Sequence, residues 1–254
     1  MALTWCATFS ADDGNPAEAG ADGDAPADGA APDGAAPDDA APDVARGDSG
    51  CQLVVGDPVD GPQWKRLGTA VAIGNVVELT AAGSYEVGGI VHTLAAPLTS
   101  FRATIRVRVG IDAKPADGLT FFWSPSTDPR LGVSGSELGF CGDGGPGGSA
   151  VTITTKPNDD DAGTNTVALR DPTIASCTDT DAVRIPPLAN DTLVTFVIDV
   201  DVPAITVRVR QGANELFHTQ LPSTFPIASV GVTAATGGEY TRHTIESAVV
   251  EVCR

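Results

Sequence analysis

The side chains in this sequence that could do chemistry are few, and their spacing suits holding a ligand better than breaking one. His92, His218 and His243 stand far apart, and no Ser or Cys nucleophile motif accompanies them. Asp117 stands in Ala116-Asp117-Gly118, directly ahead of the apolar run Leu119–Trp123 (LTFFW). A carboxylate there rides on a loop carried by a buried strand, and binding residues favour such places because the scaffold holds them still. It can accept hydrogen bonds from two adjacent hydroxyls, and charge-assisted bonds are roughly twice as strong as neutral ones. The competing role is a turn aspartate that caps its own loop. A second acidic group, Asp159-Asp160-Asp161, follows Pro157-Asn158 and has the composition of a solvated loop tip.

The cysteines lie at 6, 51, 141, 177 and 253. Setting Cys6 aside leaves four, which allow three pairings. Cys51 and Cys253 bracket everything that reads as folded, while Cys141 and Cys177 lie in Gly/Asp-rich loops. The pairing expected is Cys51–Cys253 with Cys141–Cys177, which implies an oxidising, extracellular or cell-surface compartment.

Charge decides several exclusions. The formal net charge is −18, and residues 11–49 hold eleven acids against Arg46, a net of −10 in that stretch. Nucleic-acid binding needs clustered Lys and Arg, so this balance argues against it. No apolar run approaches the ~18 residues that span a bilayer, so no transmembrane segment is expected. Residues 2–9 (ALTWCATF) are apolar but lack a basic flank, so 1–10 reads as the remnant of a signal. Leu3-Thr4-Trp5-Cys6 faintly resembles a bacterial lipoprotein cleavage box, which would make Cys6 a lipid anchor.

The elements that position these residues change character along the chain. Residues 11–50 are almost entirely Ala, Asp, Gly and Pro, with AAPD at 30–33, 35–38 and 40–43. Without large apolar side chains such a segment cannot offset its ordering entropy, so a disordered acidic linker is expected. Like charge and proline keep it extended, with a reach on the order of 100 Å, as a stalk or a solubilising tail would need. From Cys51 the period becomes two. Phe101, Ala103, Ile105, Val107 and Val109 alternate with Arg102, Thr104, Arg106 and Arg108, a half-buried strand. Val194, Phe196, Ile198, Val200 and Val202 form another inward row, and Ile205, Val207 and Val209 a third. LTFFW is apolar on both faces, as a strand covered on each side must be. Further strands are expected at 76–80, 150–155, 165–170, 228–234 and 244–252. Nothing sustains a 3.6 period, so 51–254 reads as one all-β sandwich.

Several segments in order resemble the L-type (legume-type) lectin family, within the concanavalin-like jelly-roll superfamily, in the form of a bacterial surface representative. Trp64–Thr80 (WKRLGTAVAIGNVVELT) resembles the family's opening strand, and Gly83-Ser84 with Phe101 its Gly-Ser pair and edge aromatic. Ala116–Phe121 (ADGLTF) is similar to the ADG-L-x-F signature, and Ser134–Phe140 (SGSELGF) to the glycine loop. Ala150–Asn158 (AVTITTKPN) resembles the strand leading into the metal loop, Asn165–Leu169 (NTVAL) the strand after it, and Ser229–Gly237 (SVGVTAATG) the late strand and specificity loop. The resemblance implies a two-sheet antiparallel jelly roll that binds glycans without catalysis.

It also implies a site. Asp117 would accept from sugar hydroxyls, a backbone N–H of Gly135 or Ser136 would donate, and Asn158 would supply a donor and an acceptor in one plane. Gly238 and Tyr240 would complete the rim, Tyr240 stacking on a sugar face in place of the metal-loop aromatic, near which Lys156 now lies. The departure is at the metal. Thr152 and Thr154 stand where the family places two acids, and Thr166 where it places a histidine. No transition-metal site is expected, and at most a weak Ca²⁺ site of Asn158, Asp161 and the Lys156 carbonyl.

Two other functions compete. One is a structural or adhesive surface sandwich that has lost its sugar and metal site. The other is a glycoside hydrolase of the same fold, which needs two carboxylates ~5–9.5 Å apart. In such hydrolases the acids alternate along one strand, and the comparable strand here, Val-Thr-Ile-Thr-Thr, has none. A non-enzyme is therefore expected.

Overall fold

The strict apolar alternation around residues 101–109 and 194–200 becomes the centre of a sandwich. The computed structural model describes residues 51–56, 63–109, 116–155, 165–170, 179–188, 191–201, 203–222 and 225–253. Residues 1–50, where a signal remnant with Cys6 and an acidic linker are expected, and Lys156, Asn158, Asp161 and Cys177 all lie outside these described residues. Within them the strands, in chain order, are β1 (Cys51–Val55), β2 (Lys65–Gly68), β3 (Val71–Ile73), β4 (Val76–Thr80) and β5 (Val87–Leu98). They continue as β6 (Ser100–Val109), β7 (Gly118–Ser124), β8 (Ser149–Thr154), β9 (Asn165–Arg170) and β10 (Asp179–Ile185). The last are β11 (Thr192–Asp201), β12 (Ala204–Gln211), β13 (Asn214–Pro222), β14 (Ile227–Ala235) and β15 (His243–Cys253). One short 3₁₀ turn, Gly135–Glu137, interrupts this all-β order. No helix among the described residues is long and apolar enough to cross a membrane.

The strands form two antiparallel sheets. One has eight strands in the order β13-β12-β11-β6-β15-β4-β3, with β1 also pairing β15; the other has seven, in the order β10-β9-β8-β7-β14-β5-β2. Strands distant in sequence lie side by side, β6 between β11 and β15, and β7 between β8 and β14. That is the crossover pattern of a jelly roll.

Between the sheets lies the main core. Phe121 of β7 stacks on Phe196 of β11 with ring centroids 6.3 Å apart, and Trp123 tilts against Phe121 at 6.4 Å. Ile105, Val107, Val151, Ile153, Val230 and Val232 fill the surrounding layer, all at 0–1% exposure. Each such side chain, fully buried, contributes roughly 1.5–3 kcal/mol. The outward arginines of β6 form ion pairs across the ladder. Arg102 reaches Asp199 at 2.5 Å, and Arg108 bonds Glu246 and lies 3.2 Å from Asp191. These groups are partly solvated, so each pair contributes at most about 1 kcal/mol.

Two sequence expectations are corrected. Trp64–Thr80 is not one opening strand but three short ones. β2 joins the seven-stranded sheet and β3 and β4 the eight-stranded one, with Gly68 and Gly74 both at φ 60 where the chain turns. Left-handed glycines break a strand because extended pairing cannot pass through them. Phe101 is not an edge aromatic either: it is 1% exposed in the core, on a strand flanked on both sides.

Candidate functional site

The seven-stranded sheet is buried on both faces near its middle. All seven residues of β7 and all nine of β14 are buried. Phe121 and Trp123 enter the main core, so Phe122 points the other way. There it meets Phe140, at 6.1 Å between ring centroids, in a second cluster with Val91, Cys141 and Ala150. The glycine-rich loop thus uses Phe140 to seat itself on the outer face of the sheet.

Asp117 lies at the lip of this arrangement, in the residue before β7. Its N–H donates to the Ala235 carbonyl at 3.3 Å, and its own carbonyl accepts from the Thr155 N–H at 3.0 Å. The glycine of the ADG triplet is required by geometry. Gly118 has φ +141, and a Cβ there would stand 2.0 Å from the Ile153 carbonyl oxygen. Only a residue without a side chain fits, and the aspartate is thereby set at the end of the ladder. Asp117 itself is 7% exposed.

Three loops converge on that carboxylate. A Cβ on Gly237 would lie 2.7 Å from Asp117 Oδ2, and one on Gly135 would lie 4.0 Å from the same atom. Thr236 ties the loops together. Its carbonyl accepts from the Gly135 N–H at 3.2 Å, and its own N–H donates to the Glu86 carbonyl at 3.0 Å. Its hydroxyl donates to the Gly83 carbonyl at 2.7 Å and accepts from the Glu86 N–H at 2.9 Å. The Tyr85 N–H donates to the Gly237 carbonyl at 2.9 Å, and Ser84 Oγ to the Gly238 carbonyl at 3.3 Å.

The glycine loop has anchors of its own. Leu138 is fully buried at φ 55, and its carbonyl accepts from Thr233 Oγ1 at 2.8 Å. Arg170, at 7% exposure, grips Asp179 in bidentate fashion at 2.6 and 3.0 Å. Its remaining arm donates to the Ser136 carbonyl at 2.9 Å. Cys141 is disulfide-bonded and 2% exposed. A backbone strained at Leu138 persists because its surroundings over-determine it.

Of the residues expected to bind sugar, the structure brings Asp117, Gly135 and the 237–238 turn to one place, with Ser136 on the same loop. The Gly135 N–H is already engaged with the Thr236 carbonyl at 3.2 Å. Tyr240 is 38% exposed just beyond the turn. Sequence reasoning missed Tyr85, Thr236 and Arg170. Only Tyr85 carried a signal, as an aromatic directly after Gly83-Ser84.

The expected metal positions hold hydroxyls that the sheet does align. Thr154 faces Thr166 directly across the ladder, and Thr152 is buried with its hydroxyl 3.4 Å from the Ala168 carbonyl. Neutral hydroxyls do not fit a transition ion that wants nitrogen and carboxylate ligands. No group of three or more His, Cys, Asp and Glu side chains gathers among the described residues. The same strand, Ser149–Thr154, presents no carboxylate.

No protein-family model matches the chain, and no curated protein matches it either. Solved structures do. The exoplasmic/lumenal domain of VIP36 in its Ca²⁺/Man₃GlcNAc-bound form is 17% identical, with a TM-score of 0.62 over 80% of this chain and 88% of that one. Winged bean acidic lectin complexed with methyl-α-D-galactose is 19% identical, at 0.63 over 80% and 99%. The Bauhinia forficata lectin in complex with GalNAc is 18% identical, at 0.63 over 77% and 94%. The fold is therefore that of the L-type lectins, a lectin-like jelly-roll sandwich.

Proposed function

We propose that this chain is a non-catalytic glycan-binding domain, with its sugar held at the lip formed by Asp117, the glycine loop and the 237–238 turn. The observation that carries this reading is the convergence on Asp117. A turn aspartate that merely capped its own loop would not draw in glycines from two others. In this reading Asp117 accepts from vicinal hydroxyls, the Ser136 N–H donates, and Asn158 supplies a donor and an acceptor in one plane. Gly237, having no Cβ, lets the turn pack against the carboxylate. The similar folds of VIP36 and two plant lectins, described with mannose-, galactose- and GalNAc-type ligands, support the substrate class.

Further assignments belong to the same reading. Calcium binds weakly at most, through Asn158, Asp161 and the Lys156 carbonyl, because a Ca²⁺ site gains affinity from its count of carboxylates. The glycine loop is stiffened instead by a Cys141–Cys177 bridge and by Arg170. Cys51 and Cys253 are opposite one another in the β1–β15 register. Directly paired antiparallel residues have Cα atoms about 4.5–5.5 Å apart, inside the range a disulfide spans, which favours a Cys51–Cys253 bridge. The domain works outside the cell or on its surface, displayed on the acidic 11–50 linker, with Cys6 as a lipid anchor.

The test is a glycan array probed with the full chain, run with calcium and again with chelator. Binding that survives chelation is the expected result. A second reading, a surface sandwich that has lost its sugar site, is favoured by the threonines at 152, 154 and 166. A blank array would put it in first place.

A further inference from the structure

We propose that Tyr85 is the aromatic platform of this site, on which a sugar ring held by Asp117 stacks. The inference rests on the glycan-binding reading and adds a residue and a specificity to it. Tyr85 is 71% exposed, the most open of the large hydrophobic side chains among the described residues. Burial therefore does little to explain why an aromatic stands there. Its backbone is left-handed, at φ 60, a conformation that bulky residues avoid. A glycine or asparagine would sit there with less strain, so the fold holds a tyrosine at a cost to itself. Residues kept in such conformations cluster at ligand sites.

The position is also fixed. The Tyr85 N–H is bonded to Gly237, Ser84 reaches Gly238, and Glu86 is bonded twice to Thr236. Gly237 is the residue packed against the Asp117 carboxylate, so the segment carrying Tyr85 is one hydrogen bond removed from the sugar acceptor. The phenol lies over the same turn: a Cβ on Gly238 would stand 3.7 Å from Tyr85 Oη. A sugar ring has an apolar face of C–H groups and an equatorial rim of hydroxyls. Asp117 takes the rim and Tyr85 takes the face, and a ligand with an axial hydroxyl on the stacked face would be rejected. An exposed ring on a backbone fixed in advance loses less entropy on binding than one on a mobile loop.

The test uses saturation-transfer NMR on the full chain with methyl α-mannoside, methyl α-galactoside and N-acetylgalactosamine as probes. Asparagine tolerates left-handed backbone, so Tyr85→Asn should keep or raise the melting temperature. The same variant should weaken the bound sugar about three- to tenfold. Tyr85→Trp should retain binding, and Tyr240→Asn should weaken it less than Tyr85→Asn. If Asp117→Asn weakens binding while Tyr85→Asn leaves it unchanged, the platform is refuted and the sugar site stands. If none of the three sugars receives saturation from the wild type, the glycan reading and the platform fall together.

Discussion

The two sheets differ in what lies on their outer faces. In the eight-stranded sheet, β6 alternates buried and half-buried residues along its whole length. Its outer face is a half-buried ladder of arginines and carboxylates. In the seven-stranded sheet, β7 and β14 are buried on both sides because the glycine loop covers the outer face through Phe140 and Phe122. A sheet buried twice makes a rigid floor, and the loops tied to its end can hold polar groups in fixed positions. A face open to water on one side holds its charges only loosely. The candidate site accordingly gathers at the end of the doubly covered sheet.

Breaking that contrast should be costly on one sheet and cheap on the other. Phe122→Ala removes the contact that seats the glycine loop and leaves a cavity on a buried face. It should destabilise by about 3–5 kcal/mol in chemical denaturation. Val197→Ala, on the half-buried outer face of β11, should cost less than about 1 kcal/mol. Equal costs for the two would mean that the glycine loop does not cover the sheet.

Acid should test the buried end of the eight-stranded sheet. His243 is fully buried, and burial pushes its imidazole from 6.5 down to about 3. The Thr80 hydroxyl donates to the Thr241 carbonyl at 3.1 Å, so at 2.8 Å the His243 Nδ1–H must donate to Thr80 Oγ1. The unfolded chain takes up a proton near 6.5 while the folded one refuses it until about 3. Stability from this group is complete above 6.5, falls as pH drops, and is lost at up to about 1.4 kcal/mol per pH unit in that window. Thermal melts from pH 7 to 4 should show His243→Gln flattening the slope. An unchanged slope would place the acid sensitivity elsewhere.

Smaller effects sharpen the comparison. Arg170→Met leaves Asp179 half-satisfied and frees the Ser136 carbonyl, which should cost about 2 kcal/mol and loosen the glycine loop. Faster amide exchange at 135–139 would be the readout. Breaking Arg102–Asp199 by Arg102→Met on the open face should cost at most about 1 kcal/mol, and less in high salt.

The half-buried strands were legible because water on one face forces period two, and β6, β11 and β12 fall where alternation placed them. β5 was not legible. Its first half, Val87–His92, is almost wholly buried and contains two glycines, so it shows neither alternation nor strong strand propensity. Gly118 and Asp117 were recognisable because close backbone packing leaves glycine as the only choice. Tyr85 carried only its place after Gly83-Ser84, and its left-handed backbone has no compositional signature. Arg170, at the end of the strand expected at 165–170, gave no signal, because its grip on Ser136 depends on folding residues 34 apart together.

The central claim is that the Asp117 carboxylate holds a sugar. Calorimetric titration of the strongest glycan from the array, against wild type and Asp117→Asn, tests it most directly. The charge-assisted acceptor is worth ~1.5–3 kcal/mol, so the substitution should raise Kd about ten- to a hundredfold with little change in melting temperature. A glycan bound equally well by Asp117→Asn would contradict the claim.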